Sequence, residues 1–300
     1  MTLSQSILAT LVYHDIFNYP LTTEEIHKYL IKKKISAKSV EKELKNLKKE
    51  GKILNYANLF ALKNKKKLFL IRKQRAKHSH AKLKKAQLFS FLLSLIPTVK
   101  MVAISGALAM QNSHKNDDID LVIVTAKGKL WTTRLLANLV LLPFKRRPQL
   151  PTTHYLLPTN NKACLNLFID ESDLEIKDQN LYTAHELYQQ KPLFERNQTY
   201  SRMMKANRWA LKYLPNWHAY EVNRKWKSRG VTKKQSPFSG QYSHIETLAK
   251  KFQLAYMKSK ISSERIGDTQ LFFHPKDTQE RVLKKYKKKC NGNRLLTSPA

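Results

Sequence analysis

Two aspartates at alternate positions are the residues of this chain most suited to chemistry. Asp118 and Asp120 begin an apolar, β-branched run that ends near Val124, which is typical of a strand. Alternate side chains of a strand lie on one face, so the two carboxylates are expected to converge. Mg²⁺ is commonly held by one or two carboxylates, with its other positions left to water and substrate phosphates. The motif therefore predicts a magnesium site that handles a phosphate ester.

A glycine turn precedes this acidic run. Val99 to Ile104 is an apolar stretch that predicts a strand, and Gly106 then supplies a tight turn between Ser105 and Ala107. The residues after the turn predict a short helix whose first N–H groups would face an anion. Ser105, Gly106 and Ala107 are therefore candidate nucleotide-binding residues.

The order of strand, glycine turn, helix and acidic strand resembles the nucleotidyltransferase superfamily of the polymerase beta type. The match consists of Ile104, then Gly106-Ala107, then Asp118-Ile119-Asp120, and it covers roughly residues 97 to 175. The resemblance implies that Asp118 and Asp120 are the catalytic metal ligands, that Mg²⁺ is the cofactor and that a nucleoside triphosphate is the substrate.

The chain departs from that family pattern at two places. Ala107 stands where the family has Ser or Gly. The family also has a third carboxylate on a later strand, but the strand predicted over residues 163–169 has Asn166 at its polar interior position. An amide oxygen carries no charge, so Asn166 is a nucleotide-binding candidate and a weaker ligand. Asp170 or Asp173 would need a bent strand end, since Asp170 lies about 13 Å beyond Asn166 at about 3.3 Å per residue.

Two functions follow from these residues. The first is a metal-dependent nucleotidyltransferase that moves a nucleoside monophosphate from a triphosphate to RNA, a protein side chain or a small molecule. The alternative is a catalytically weak or inactive nucleotidyltransferase fold that acts as a DNA-binding or nucleotide-sensing regulator, which Asn166 favours. A third possibility is that the N-terminal module recruits the enzyme to a protein partner.

Residues 1–63 predict a separate module of three helices and a hairpin, which resembles winged helix-turn-helix domains. The capping box of Thr22 and Glu25 marks the second helix. In a DNA-binding role the third helix would enter the major groove. Its exposed face is expected to carry four lysines suited to phosphate contact rather than base readout, Lys38, Lys42, Lys45 and Lys49.

The remainder of the chain completes an α+β prediction. A basic linker helix is predicted over 64–96, a nucleotidyltransferase-like domain with a mixed sheet over 97–180, a helical region over 181–275 and a basic tail over 276–300. Trp209, Tyr213 and Trp217 are predicted to be core anchors because they follow an apolar helical pattern.

Composition sets the expected surroundings. The 300 residues include 56 Lys and Arg against 22 Asp and Glu, a formal charge of +34, which favours DNA or RNA as a partner. Alternatively, a general bias toward Lys, Asn and Ile merely produces a solvated surface. Two cysteines, no basic leader and no apolar run of membrane-spanning length predict a cytoplasmic protein without membrane contact. The ten histidines have no paired metal spacing and are expected to face solvent.

Overall fold

Polar caps and apolar periodicity set the limits of the N-terminal elements. The computed structural model describes residues 1–62, 66–144, 161–222, 243–258, 264–273 and 276–292. Its first elements are helix α1 (Leu3–Asp15), strand β1 (Leu21–Thr22), helices α2 (Thr23–Lys28) and α3 (Ala37–Lys49), and strands β2 (Ile53–Tyr56) and β3 (Leu59–Leu62). Thr22 and Glu25 form the predicted capping box, with Glu25 N donating to Thr22 Oγ1 at 3.1 Å. The strands form an antiparallel sheet of order β1-β3-β2.

Helix α1 belongs to two hydrophobic cores. Ile7 and Leu11 on one side pack with the apolar residues of α2, α3 and β2. Val12 and Tyr13 on the other side belong to the core beside the central sheet. Because both faces of α1 are covered by protein, the N-terminal elements are packed firmly onto the rest of the chain.

Helix α4 (Lys67–Ser94) connects the N-terminal elements to the central sheet. Near its start, Arg72 forms an ion pair of 2.9 Å with Glu25 of α2 and donates to the carbonyl of Pro20. Near its end, Phe89 and Leu93 are buried against the sheet. The predicted linker helix is therefore present, and it packs against protein at both ends.

Within the described residues the central sheet is mixed and has six strands. They are β4 (Val99–Ile104), β5 (Ile119–Thr125), β6 (Ala163–Asp170), β7 (Lys191–Glu195), β8 (Arg265–Ile266) and β9 (Gln270–Phe272). Their order is β7-β4-β5-β6-β9-β8, with β5 and β6 parallel and every other neighbouring pair antiparallel. The mixed sheet and the α+β class agree with the sequence prediction, whereas β7, β8 and β9 lie within residues 181–275, which were predicted to be a helical region.

Helices cover both faces of this sheet. They are α5 (Gly106–Ala109), α6 (Leu130–Val140), α7 (Leu181–Gln189), α8 (Thr199–Ala206), α9 (Trp217–Val222), α10 (Ser243–Met257) and α11 (Lys276–Gly292). Leu121 and Ile123 of β5 face the core that contains residues of α4, α6 and α10. Val122 and Val124 face the core that contains residues of α1, α7, α8 and α11. None of the described helices is both long and apolar enough to span a bilayer.

The C-terminal part differs from the prediction of a basic tail over 276–300. Residues 276–292 form α11, in which Val282, Tyr286 and Cys290 recur every four residues and are buried. This spacing places them on one side of the helix, where they pack in the core with α1 and α7. The surrounding lysines obscured the apolar stripe in the sequence. Residues 293–300 lie outside the described part.

Buried histidines join α1 to α7, contrary to the expectation that histidines face solvent. His14 of α1 and His185 of α7 are 2% and 1% exposed, with ring centroids 5.1 Å apart. Tyr13 stacks on His185 at 4.0 Å. Burial lowers the pKa of His14 to about 4 and lowers the pKa of His185 well below its usual value, so both rings are neutral at pH 7.

Candidate functional site

Asp118 and Asp120 lie at the start of β5, at one end of the central sheet. The strand begins at Ile119, so Asp118 directly precedes it rather than belonging to it. Asp118 Oδ1 accepts a hydrogen bond of 3.2 Å from the backbone N–H of Lys162, which leads into β6. Asp120 alternates with Ile119 and Leu121, so it shares the face of Val122, and both aspartates are partly exposed. The pair therefore lies at an accessible sheet end.

The glycine turn packs directly against Asp120. Ser105 N donates to the carbonyl of Asp120 at 3.2 Å, which joins the end of β4 to the start of β5. Gly106 has a φ of +57°, in the left-handed region that favours glycine. A Cβ atom placed there would lie 3.4 Å from Asp120 Oδ2. Ala107 follows in the single turn of α5, so the candidate nucleotide-binding turn and one candidate metal ligand are neighbours.

Asn166 occupies an irregularity in β6. Leu121 pairs with Leu165 and Val122 pairs with Leu167, so Asn166 is an extra residue without a partner position in β5. Such a bulge redirects the side chains around it. Asn166 is 3% exposed and lines a cavity beside Ser105. The β6 residue in register with Asp120 is Cys164.

The two aspartates considered as substitutes for the missing carboxylate lie elsewhere. Asp170 pairs with Thr125 at the far end of β5. Its Oδ2 accepts from Gly128 N at 2.6 Å and its Oδ1 accepts from Ser172 N at 2.9 Å. Asp173 accepts from Thr269 Oγ1 at 2.6 Å. Both carboxylates stabilise turns at the opposite end of the sheet from Asp118 and Asp120.

A buried lysine holds the loop that leads to the aspartates. Lys82 of α4 is 3% exposed and donates to Ser113 Oγ at 2.8 Å, to the carbonyl of His114, and to the carbonyl of Asp117 at 2.6 Å. Asp117 in turn accepts from His114 N at 2.7 Å through its carboxylate. Burial lowers the pKa of Lys82, and the nearby Asp117, Asp118 and Asp120 carboxylates oppose this effect. Lys82 is therefore a fixed positive charge behind the acidic motif.

The sequence alone did not identify Glu186, which α7 places near Asp120. Burial, with the negative charge of Asp120 as a second cause, raises the pKa of Glu186 to about 7. Tyr182, one helical turn earlier, faces the same cavity, and burial together with Glu186 and Asp120 raises its pKa. The spacing of four residues puts Tyr182 and Glu186 on one side of a helix, but only the fold shows that this side covers the end of the sheet.

The cavity beneath α7 has a volume of about 110 Å³ for the centres of water-sized molecules, and it opens to solvent. Its walls are largely apolar and include Val122, Leu167, Leu187 and Phe272. Its polar groups come from the sheet and from the helices above it, and they include Ser105, Asn166, Tyr182, Glu186 and Gln190. Arg265, at this cavity, stacks on the ring of Phe272 at 3.9 Å and forms an ion pair with Asp178. A concave, mostly apolar site with a few polar groups is typical of small-molecule binding.

The donor set at the sheet end suits Mg²⁺ shared with a phosphate. Among the described residues, no group of three or more His, Cys, Asp or Glu side chains is arranged to hold a metal ion. Asp118 and Asp120 nevertheless provide two carboxylates, and Asn166 adds an amide oxygen nearby on β6. Mg²⁺ commonly accepts this number of protein ligands when substrate phosphates and water complete its coordination. The oxygen ligands present are therefore of the kind that Mg²⁺ accepts.

The four lysines predicted for nucleic-acid contact lie on one exposed surface of α3. These are Lys38, Lys42, Lys45 and Lys49. Lys45 pairs with Glu41 at 2.9 Å, and both side chains are more than half exposed. The opposite side of α3 carries Val40, Leu44 and Leu47, which are buried, so the lysine surface faces away from the protein core.

Comparison of the chain with protein-family models, with curated proteins and with solved structures gave no match.

Proposed function

We propose that this protein is a metal-dependent nucleotidyltransferase that moves a nucleoside monophosphate from a nucleoside triphosphate to an acceptor. The observation that carries this proposal is the packing of the Gly106 turn against Asp120, with Asp118 two residues earlier. A backbone turn suited to a phosphate and carboxylates suited to Mg²⁺ thereby meet at one sheet end. The resemblance to the polymerase beta type of nucleotidyltransferase agrees with this arrangement.

The residues have distinct tasks in this function. The turn at Ser105, Gly106 and Ala107 would place the triphosphate, and Asp118 and Asp120 would hold Mg²⁺. When bound, Mg²⁺ would neutralise phosphate charge. The acceptor oxygen forms a bond to the α-phosphorus as the bond to the leaving pyrophosphate breaks, and the acceptor proton passes to water. Much of the rate enhancement is expected from positioning the reactants, which the Lys82 anchor of the loop supports.

The test is magnesium-dependent release of pyrophosphate from each nucleoside triphosphate, with RNA, DNA or a small-molecule extract as acceptor. The double variant Asp118→Asn, Asp120→Asn should lose this activity. Asp268→Asn is the matched control, because Asp268 is an exposed carboxylate paired with Lys250. Activity that persisted in the double variant would show that these aspartates are not the metal ligands.

A second candidate function is nucleic-acid binding through residues 1–63, proposed as a winged helix. The lysine surface of α3 supports it, because Lys38, Lys42, Lys45 and Lys49 are all exposed. Replacing these four residues with Gln should weaken binding of duplex DNA and reduce the slope of log K against log salt by up to about 0.9 for each lost phosphate contact.

A control with the same net charge distinguishes this surface from the general effect of a basic chain. Lys284, Lys285, Lys287 and Lys288 are exposed residues of α11, and their replacement with Gln should leave DNA affinity higher than in the α3 variant. Equal losses in both variants would argue against a specific α3 surface. Under the regulator alternative, the Asp118→Asn, Asp120→Asn variant binds DNA as well as the unchanged protein does.

A further inference from the structure

The cavity beneath α7 begins where the proposed reaction would occur. It includes Ser105 of the glycine turn, whose N–H donates to the Asp120 carbonyl at 3.2 Å, and it also includes Asn166 of β6 and Glu186 of α7. Within the described residues the Glu186 carboxylate has no hydrogen bond and no ion pair. A carboxylate in this position is suited to accept a hydrogen bond from a ligand.

The charge of the cavity argues against a nucleic-acid strand as its occupant. Glu186 lines it and Asp120 lies close by, while Arg265 in its wall is paired with Asp178, whereas a polynucleotide needs unpaired basic groups along its backbone. The apolar walls formed by Val122, Leu167 and Phe272 also suit a compact molecule better than a phosphate chain. The lysine surface on α3 lies outside the cavity.

The position of Glu186 also distinguishes the two substrates of a nucleotidyltransferase. The acceptor hydroxyl must reach the α-phosphorus, which the Asp118 and Asp120 site would hold. The nucleobase lies farther from that phosphorus, on the other side of the ribose. A group close to Asp120 is therefore better placed to meet the acceptor than the base.

We propose that the cavity beneath α7 is the acceptor site, that the acceptor is a small, partly apolar alcohol or amino alcohol, and that Glu186 binds its hydroxyl or ammonium group. This inference rests on the proposed nucleotidyltransferase function and narrows its acceptor class. Tyr182 and Gln190 provide further polar contacts in the same cavity. Neither RNA nor a protein side chain enters the cavity in this proposal.

The experiment follows label from α-³²P-labelled nucleoside triphosphates into a cell extract separated into small molecules, RNA and protein. Glu186→Gln keeps the size of the side chain and removes its charge, and Glu175→Gln changes an exposed glutamate outside the cavity. Affinity for the magnesium–nucleotide complex is measured separately for each variant. We expect label in the small-molecule fraction. In Glu186→Gln the rate of transfer should fall by about tenfold or more, while the nucleotide affinity should stay unchanged.

Other results would overturn the inference in recognisable ways. Label in RNA or protein would show that the proposed acceptor class is wrong, while leaving the nucleotidyltransferase function intact. A lower nucleotide affinity in Glu186→Gln would show that the cavity holds the nucleotide, and an unchanged transfer rate would exclude Glu186. If neither the unchanged protein nor the Asp118→Asn, Asp120→Asn variant transferred label to any fraction, the proposed function would be refuted and the inference with it.

Discussion

Glu186 should reduce the stability of this protein at neutral and alkaline pH. Its carboxyl group lies in the cavity beneath α7, where burial and the nearby Asp120 raise its pKa from 4.5 to about 7. Ionising it in the folded protein is therefore harder than ionising it in the unfolded chain. Glu186→Gln retains a polar side chain of similar size but cannot ionise, so the variant should not lose stability through ionisation at this position.

The sign and the size of the effect follow from the two pKa values. The folded protein binds the Glu186 proton more tightly, so this group's stabilising contribution is complete below pH 4.5. It is lost as the pH rises through 7. The difference of about 2.5 pKa units corresponds to about 3 kcal/mol at about 1.4 kcal/mol per unit. Glu186 is partly exposed to the cavity, and solvent screening makes this value an upper limit.

Urea unfolding at pH 4.5 and at pH 8 measures this effect. The free energy of unfolding of Glu186→Gln relative to the unchanged protein should rise by about 2–3 kcal/mol between the two pH values. The exposed-residue variant Glu175→Gln should show no such rise. Since His14 and His185 also titrate, the pH dependence is compared between variants rather than read from one protein. A difference between Glu186→Gln and the unchanged protein that did not vary with pH would refute the burial argument.

Three further predictions concern the site and its supports. Gly106→Ala should weaken magnesium–nucleotide binding and should also cost about 1–2 kcal/mol of stability, because its φ of +57° is left-handed. Gly128→Ala, at a left-handed φ of +64° with open space around it, should cost about as much stability without affecting nucleotide binding. Lys82→Met should destabilise the protein by about 2–3 kcal/mol in urea unfolding, because the buried Ser113 hydroxyl and the carbonyls of His114 and Asp117 lose their donor; a neutral effect would contradict its anchoring role. The protein should lose stability as the pH falls from 6.5 to 4, because the folded pKa of His14 is about 4. His14→Phe should reduce that loss by up to about 3 kcal/mol. His80→Phe, at an exposed position, should leave the loss unchanged.

Local sequence signals predicted many of the regular elements. The Thr22 and Glu25 capping box lies at the start of α2, and the three helices and the hairpin predicted within residues 1–63 correspond to α1, α2 and α3 and to β2 with β3. Each of these signals acts within a few residues, through a cap or a repeated apolar position. They are therefore readable without knowing what the element packs against.

Elements defined by distant partners were missed or misread. Strand β7 contains Pro192 and, among the described strands, lies at the edge of the sheet beside β4. A proline is tolerated at such an edge, although it reads locally as a break. Helix α11 was taken for a tail, because its few buried residues, Val282, Tyr286 and Cys290, stand among many lysines.

The acidic motif, the glycine turn and their order along the chain can be recognised without a structure. Asp118, Asp120 and Gly106 stand out because the spacing of two residues on a strand and the freedom of glycine are local properties. The groups that surround them depend on the fold. Glu186 is 66 positions after Asp120 in the chain, and Lys82 lies in a helix before the sheet. Their approach depends on how α7 and α4 pack, and that packing arises from the whole core rather than from any short pattern.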